Sequence, residues 1–332
     1  MNKQSPRIIY MGTPGFAVTP LRILLESGYN VVGVITAPDR RAGRGKKISH
    51  SEVKSYILSQ EKPIPILQPE KLKDPSFIEE LRALKPDLQI VVAFRMLPEL
   101  VWSIPSMGTF NLHASLLPQY RGAAPINHVL MNGEKETGVT TFFIDEKIDT
   151  GKILLQKSIA IGDDETAGEL HDRLMDLGAS LVLETVQQFS SDHLEAFSQD
   201  QYMDTASGLK LAPKIYKEDC RIDWDLPGEK LFNLIRGLSP YPGAFTMLKR
   251  EDGDLGKAGD ALQCKIFKVT KEESSHQELP GSISTDGKRT LKVAVKDGWI
   301  HVHSIQQEGK RRMEIKDFLA GFSFANGVYL FF

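Results

Sequence analysis

The sequence predicts an α/β domain with a mostly parallel sheet and helices on both faces, followed by a smaller all-β domain. Three observations carry that prediction. Short apolar runs alternate with segments of helical spacing through the first half of the chain. Near Ser190 this alternation stops, and beyond it short strand-like segments are divided by glycine turns. Finally, 332 residues are too many for one typical domain and suit two.

Taken in order, "RIIYMG" is a short apolar run ending in glycine, as expected of a first, buried parallel strand. "TPGFAVTPLRILLESGY" has helical spacing at Val18, Leu21, Leu24 and Leu25, with Gly28 placed as a C-terminal cap. "NVVGVIT" is a second strand, and "DLQIVVAF", "GTFNLHAS" and "GVTTFFID" continue the series. "ETAGELHDRLMDLGASLVLETVQQF" is a long amphipathic helix that closes the domain. The next stretch, "SSDHLEAFSQDQYMDTASGLKLAPKI", is polar and non-periodic, which is the pattern of a linker. After it come "IDW", one helix ("GEKLFNLIRGL") and the strand-like "ALQCKIFKV", "GSISTD", "TLKVAVKDG" and "WIHVHSIQQEG". Short strands between glycine turns predict a small β-barrel or sandwich.

The net charge of −2 supplies no global field to recruit nucleic acid or membrane, so any polyanion contact must be local. Two cysteines, Cys220 and Cys264, are too few for a zinc cage or disulfide framework and suit a reducing compartment. The N-terminus lacks a signal-peptide pattern, and no apolar stretch approaches the roughly 20 residues of a membrane helix. A cytoplasmic protein without membrane contact is the expectation.

"MGTPGF" follows the first strand and opens a helix, which raises the question of dinucleotide binding. The G-x-G-x-x-G fingerprint is not met: Pro14 and Phe16 break the pattern around Gly12 and Gly15. A tight strand-to-helix turn therefore explains these glycines better than a nicotinamide cofactor does.

Asn111 and His113 stand two apart on a predicted strand, so they share one face at its C-terminal end, where ligands of open α/β sheets bind. Asp149 lies in the loop "IDEKIDTG" after another predicted strand, with Gly151 expected to permit an unusual turn. A carboxylate beside a histidine favours the imidazolium and fixes its tautomer. An amide beside it offers a second donor to a developing oxyanion. The set has no nucleophile of its own. Ser115 lies nearby, but no G-x-S-x-G elbow surrounds it. Such a group suits a reaction whose substrate brings the nucleophile, such as an amine attacking an acyl carbon. Each residue alone is as well explained by ordinary packing or loop capping.

"NLHASLLPQYRGAAPI" with the later "DEKIDTG" resembles the folate-dependent formyltransferase family, whose members carry Asn-x-His-x-Ser-Leu-Leu-Pro and an Asp-Thr-Gly loop. "MGTPGFAV", "PDRRAGRGKK", "IDW" and "IRGLSPYPGAF" extend the resemblance in order from about residue 7 to about residue 325. They point to the branch that formylates methionyl initiator tRNA. The resemblance implies a Rossmann-like catalytic domain over 1–190, a linker over 191–212 and an OB-like β-barrel over 213–332 that touches tRNA. It implies 10-formyltetrahydrofolate as co-substrate, no metal, and a monomer. Asn111, His113 and Asp149 become the catalytic trio, and Ser115, Leu116, Leu117, Pro118, Phe94 and Asp145 the folate contacts.

The same resemblance makes "PDRRAGRGKK" a tRNA-binding insertion through Arg40, Arg41, Arg44, Lys46 and Lys47. The chemistry agrees, since guanidinium forks and lysines around glycines suit phosphates, although an isolated charge run is usually a solvated turn. Lys265, Lys268, Lys310, Arg311 and Arg312 are further candidates. Three places depart from the family's usual pattern: Gly15 stands for Asp, Arg41 for Pro, and "VVAFRMLPELV" for an Ala-Tyr-Gly segment beside the pterin. The rival within the family is a sugar-nucleotide N-formyltransferase with the same folate donor, which the basic loop disfavours. Outside it stand a nicotinamide oxidoreductase and a non-catalytic RNA-binding module.

Overall fold

Ile8–Gly12 (β1) is buried at all five positions, as a parallel strand covered on both faces must be. Its last residue must be glycine, because a Cβ at position 12 would lie 2.5 Å from the Ala17 Cβ and 3.1 Å from the Val92 carbonyl oxygen. The buried Tyr10 hydroxyl donates to the Ala17 carbonyl at 2.6 Å, tying the strand to the turn beyond it. These contacts account for the Gly12 turn by packing alone. A single 3₁₀ turn, Gly15–Ala17, then leads into Val18–Glu26 (α1). Gly28 follows with φ 77°, the left-handed conformation of a helix C-terminus.

The computed structural model describes residues 5–42, 47–191, 195–202, 208–250, 261–324 and 328–332. They form two units. The first comprises Met1–Gly122, Glu136–Ala160 and His171–Leu211; the second Ala123–Lys135, Ile161–Leu170 and Ala212–Phe332.

The sheet of the first unit adds Val31–Ile35 (β2), Ile66–Leu67 (β3), Leu88–Val92 (β4), Thr109–His113 (β5), Glu136–Phe143 (β6) and Ile153–Ala160 (β7). Its order is β7-β6-β5-β4-β1-β2-β3. Pairing is parallel from β5 to β3, whereas β6 runs against both β5 and β7. The expected mostly parallel sheet is thus present, with one reversed strand beside β5. Glu52–Leu58 (α2) and Pro75–Ala83 (α3) begin at Ser51 and Asp74, whose side chains accept from the Lys54 and Ser76 amides. Ala167–Ser191 (α4) is the long helix. Phe189 stacks on Phe110 at 5.9 Å, and Gly178 admits Leu112 where a Cβ would be 2.7 Å from its Cδ2.

The second unit is an antiparallel sheet of Ala244–Arg250 (β8), Leu262–Glu273 (β9), Ile283–Thr285 (β10), Leu291–Val295 (β11), Gly298–Gln307 (β12), Met313–Glu314 (β13) and Tyr329–Phe331 (β14). Their order is β10-β11-β12-β9-β8-β14, with β13 on β12. A bridge between Ser282 and Leu330 brings the two edges together, so the sheet is nearly closed and the barrel prevails over the sandwich. Leu231, Ile235 and Leu238 of Gly228–Leu238 (α5) join Leu248, Ile266, Val293 and Val302 in its core. Both cysteines sit in that core, and burial pushes the Cys264 thiol up to about 12. They pack as apolar groups.

Candidate active site

Because Phe110 and Leu112 turn toward α4, the alternate residues Asn111 and His113 of β5 face the other way. There Phe142 of β6 pairs with Asn111, and its ring meets the His113 ring edge-on at 6.4 Å. His113 is buried and Asn111 half-buried.

The imidazole is held at both ends. Its Nε2 lies 2.8 Å from the Tyr120 carbonyl oxygen. A carbonyl can only accept, so Nε2 carries the hydrogen. Nδ1 is left facing the Asp149 carboxylate, 3.8 Å from Oδ2. That oxygen also accepts from the Gly122 amide at 2.9 Å. Among the described residues the Asn111 carboxamide has no hydrogen-bond partner. The site therefore offers an uncommitted amide, a ring nitrogen free of any backbone group, and a fixed carboxylate.

The turn that delivers Asp149 differs from the expectation. Asp149 itself holds the left-handed backbone, at φ 54°. Gly151 instead provides close approach: a Cβ there would sit 1.7 Å from the Phe143 carbonyl oxygen. Tyr120, whose carbonyl takes His113, is also left-handed at φ 60°. Two side-chain-bearing residues in that region at one site are a mark of local strain at functional positions.

The segment after His113 is pinned by β6 and β7. The Thr140 hydroxyl donates to the Ser115 carbonyl at 2.6 Å and accepts from the Leu117 amide at 3.1 Å. Gln156 donates to the Leu117 carbonyl and to Thr140 Oγ1, at 2.7 and 2.9 Å. Ser115 is fully buried and its hydroxyl donates to the Gln119 carbonyl at 2.7 Å, so it shapes the loop and is no nucleophile. Leu117 packs with Phe142 and Ile153, Pro118 is buried and Leu116 half-buried. Phe94 is half-buried, with the Arg95 guanidinium 5.6 Å from its ring, and it follows Ala93, left-handed at φ 46°. Asp145 is exposed, and its Oδ1 accepts from the Lys147 amide and the Thr150 hydroxyl at 3.1 and 2.8 Å, organising the loop that ends at Asp149.

Of the basic loop, Arg40–Ala42 pairs with Lys47–Ser49 as a short antiparallel hairpin. Arg44 and Lys46 lie outside the described residues, as do the side chains of Arg41 and Lys47. Arg40 is exposed. Asp39, at the hairpin's base, accepts from Gln68 at 2.9 Å and Lys54 at 2.7 Å and lies 3.1 Å from His50. Those partners, Gln68 foremost, hold its carboxyl well below the usual carboxylate range.

Sequence reasoning missed Gln199, Thr140 and Gln156. Gln199 Nε2 donates to the Asp149 and Gly151 carbonyls at 2.9 and 2.8 Å. Its signal was faint: one glutamine in a polar, non-periodic stretch.

Compared with known proteins, residues 7–186 match the family model described as Formyl transferase, and residues 214–323 match the Formyl transferase C-terminal domain. The chain is 53% identical to the methionyl-tRNA formyltransferase of Bacteroides thetaiotaomicron, over 98% of this chain and 99% of that protein. It is 49% identical to that of Flavobacterium johnsoniae, over 96% and 97%. Among solved structures, HypX from Aquifex aeolicus in complex with tetrahydrofolic acid matches at TM-score 0.62 and 17% identity. That match covers 95% of this chain and 47% of HypX, so the chain spans about half of that protein. The N-formyltransferase of Helicobacter canadensis, in complex with folinic acid and dTDP-3-aminofucose, matches at TM-score 0.62 and 20% identity, over 91% and 99%. At those identities the two structures speak for the fold.

Proposed function

The chain belongs to the formyl transferase family, and we propose that it moves the formyl group of 10-formyltetrahydrofolate onto the amino group of methionyl initiator tRNA. The observation that carries this is the assembled trio on a chain about half identical, end to end, to two methionyl-tRNA formyltransferases. A sugar-nucleotide acceptor is less well supported, because the N-formyltransferase solved with dTDP-3-aminofucose is only 20% identical to this chain.

The geometry suits direct transfer. The amine attacks the formyl carbon, a new C–N bond forms, and the carbon's bond to the folate nitrogen breaks. An α-amino group titrates near pH 7.7–8.0, so a useful fraction is neutral and nucleophilic at physiological pH. The Asn111 amide, free of other partners among the described residues, donates to the oxyanion that forms on the formyl oxygen. The Nε2–H bond to Tyr120 fixes the ring, so Nδ1 is the nitrogen that faces the reacting atoms. The amine proton passes to Nδ1, where the Asp149 carboxylate stabilises the cation, and it leaves on the departing folate nitrogen. Leu116, Leu117 and Pro118 supply an apolar wall for the folate, Phe94 and Asp145 flank it, and Ser115 sets its shape. Arg40, Arg41, Arg44, Lys46 and Lys47 hold tRNA phosphates. Residues 1–190 carry the chemistry, 191–212 connect, and 213–332 add a second tRNA surface, in a cytoplasmic monomer that uses no metal.

The test is formyl transfer to charged initiator tRNA by wild type and His113→Ala. Robust transfer that collapses in the variant is expected. Transfer to an amino-sugar nucleotide but not to tRNA would overturn the acceptor and keep the trio.

A further inference from the structure

The described parts of the polar stretch after α4 are anchored to the active site at three places. Phe197 exchanges backbone hydrogen bonds with Ile153, at 2.8 and 2.9 Å, which fixes the chain at the start of β7. Lys210 donates its amide to Gln119 Oε1 at 2.8 Å and accepts from the Tyr120 amide at 2.6 Å, so it holds the residue whose carbonyl takes His113. Between them, Gln199 is only 2% exposed and uses both ends of its carboxamide. Nε2 donates to the carbonyls on either side of Thr150, those of Asp149 and Gly151. Oε1 accepts from Arg121 Nε and Nη2 at 3.0 and 2.7 Å. The residue after Arg121, Gly122, donates to the Asp149 carboxylate.

Asp149 sits in a left-handed conformation that L-residues with side chains disfavour. Such a conformation persists only where its surroundings over-determine it. We infer that Gln199 is a positioning residue for the reaction: its carboxamide locks the left-handed turn that presents the Asp149 carboxylate to His113. This rests on the proposed role of Asp149. Gln199 is assigned no contact with substrate or reacting atoms. It acts through the backbone of Asp149 and through Arg121, whose own neighbour binds the carboxylate. A misplacement of about 1 Å at a catalytic group costs on the order of 10²-fold in rate, so loss of this lock is an effect on turnover.

Three variants test it, Gln199→Glu, Gln199→Met and Asp149→Asn, each assayed for kcat and both KM values with the folded fraction measured by circular dichroism. Gln199→Glu keeps an acceptor for Arg121 but turns a carboxylate oxygen toward two carbonyls. Gln199→Met removes the hydrogen bonds without adding charge. The expectation for both is a kcat, per folded enzyme, lower by on the order of 10²-fold with folate KM nearly unchanged. A protonated carboxyl donates one hydrogen bond, so the Gln199→Glu defect should narrow relative to wild type as the pH is lowered. The Gln199→Met defect should not. A merely structural role predicts losses that follow the folded fraction, with no pH-dependent narrowing, and that pattern overturns the proposal. So does a kcat within about threefold of wild type in both Gln199 variants while Asp149→Asn collapses. If Asp149→Asn itself turns over like wild type, the trio falls instead.

Discussion

Asn111→Ala separates catalysis from folding more cleanly than any other change at this site. The Asn111 carboxamide has no hydrogen-bond partner among the described residues, and its side chain is half-buried on a strand whose pairing is made by the backbone. Truncation removes no hydrogen bond from the folded state, so stability should move by no more than about 0.5 kcal/mol. In the reaction the same amide is a preorganised donor to the oxyanion. Losing one such donor costs about 2.7–4 kcal/mol of transition-state stabilisation, or roughly 10²–10³ in kcat. Steady-state formyl transfer and urea unfolding on the same preparation provide the assay. The expected result is a large fall in kcat, unchanged KM for both substrates, and an unchanged urea midpoint. Thr140→Val is the counterpart. Its fully buried hydroxyl serves the Ser115 carbonyl, the Leu117 amide and Gln156. Leaving those groups unpaired should cost about 1–3 kcal/mol of stability. A kcat loss below about tenfold for Asn111→Ala, or a loss matched by a falling urea midpoint, would refute the assignment of the amide to the oxyanion.

Replacing Arg44 and Lys46 together by Ala should raise the tRNA KM, leave the folate KM alone, and flatten the salt dependence of the tRNA KM, because phosphate contacts release counterions; an unchanged salt slope would count against phosphate binding. At the base of that hairpin, the Asp39 carboxyl is held below its usual range, by Gln68 first and by Lys54 and His50. A depressed folded pKa contributes stability above the unfolded value and loses it as pH falls, so acidification from about pH 5 to about pH 2 should cost wild type more than Asp39→Asn in thermal midpoint. Arg236 is 4% exposed and donates to the Gly162 and Asp163 carbonyls at 3.1 and 3.2 Å and to Asn233 Oδ1 at 2.8 Å. Arg236→Met should lower stability by about 1.5–3 kcal/mol in urea titration, and a shift under about 0.5 kcal/mol would mean that those acceptors are rehydrated.

Elements with a strong period were legible. Ile8–Gly12 and Leu88–Val92 are buried throughout and, Gln89 apart, read as apolar runs because both faces of a parallel strand are covered, and α4 shows its apolar stripe over seven turns. The short helices α2 and α3 were not legible by period. Their signals are caps, Ser51 and the Asp74–Pro75 pair, in polar sequence. Strand β8 alternates buried Ala244, Thr246 and Leu248 with half-buried Phe245, Met247 and Lys249, but a threonine on the core face blurs the contrast. Asn111 and His113 could be paired from spacing alone, since a strand's period is two. Gln199 could not, because its partners are backbone carbonyls about fifty residues away, and a carbonyl leaves no trace in a sequence.

The reversed strand is what makes the Asp149 loop unusual. Had β6 been parallel to β5, its C-terminal loop would have opened at the same end as His113, and Asp149 would have arrived there with little further turning. Instead β6 runs down beside β5, with Thr140 level with His113 and Phe143 level with Phe110. At about 3.3 Å per residue, the loop leaves the sheet roughly 10 Å below His113 and must climb back. The Asp145 carboxylate makes the first reversal by taking the Lys147 amide and Thr150 hydroxyl, and the left-handed turn at Asp149 makes the second. Gly151 then passes close against the Phe143 carbonyl, so the returning chain lies directly on the end of the strand it left. The β6–β7 ladder closes the base of this loop, with the Phe143 amide donating to the Lys152 carbonyl at 2.9 Å, but it does not reach Asp149. The hydrogen bonds that reach Asp149 itself come from Gly122 and from Gln199, a residue of the segment after α4. The polar stretch that reads as a mere connection therefore supplies, through one buried carboxamide, a hold on Asp149 that lies beyond the reach of the β6–β7 ladder.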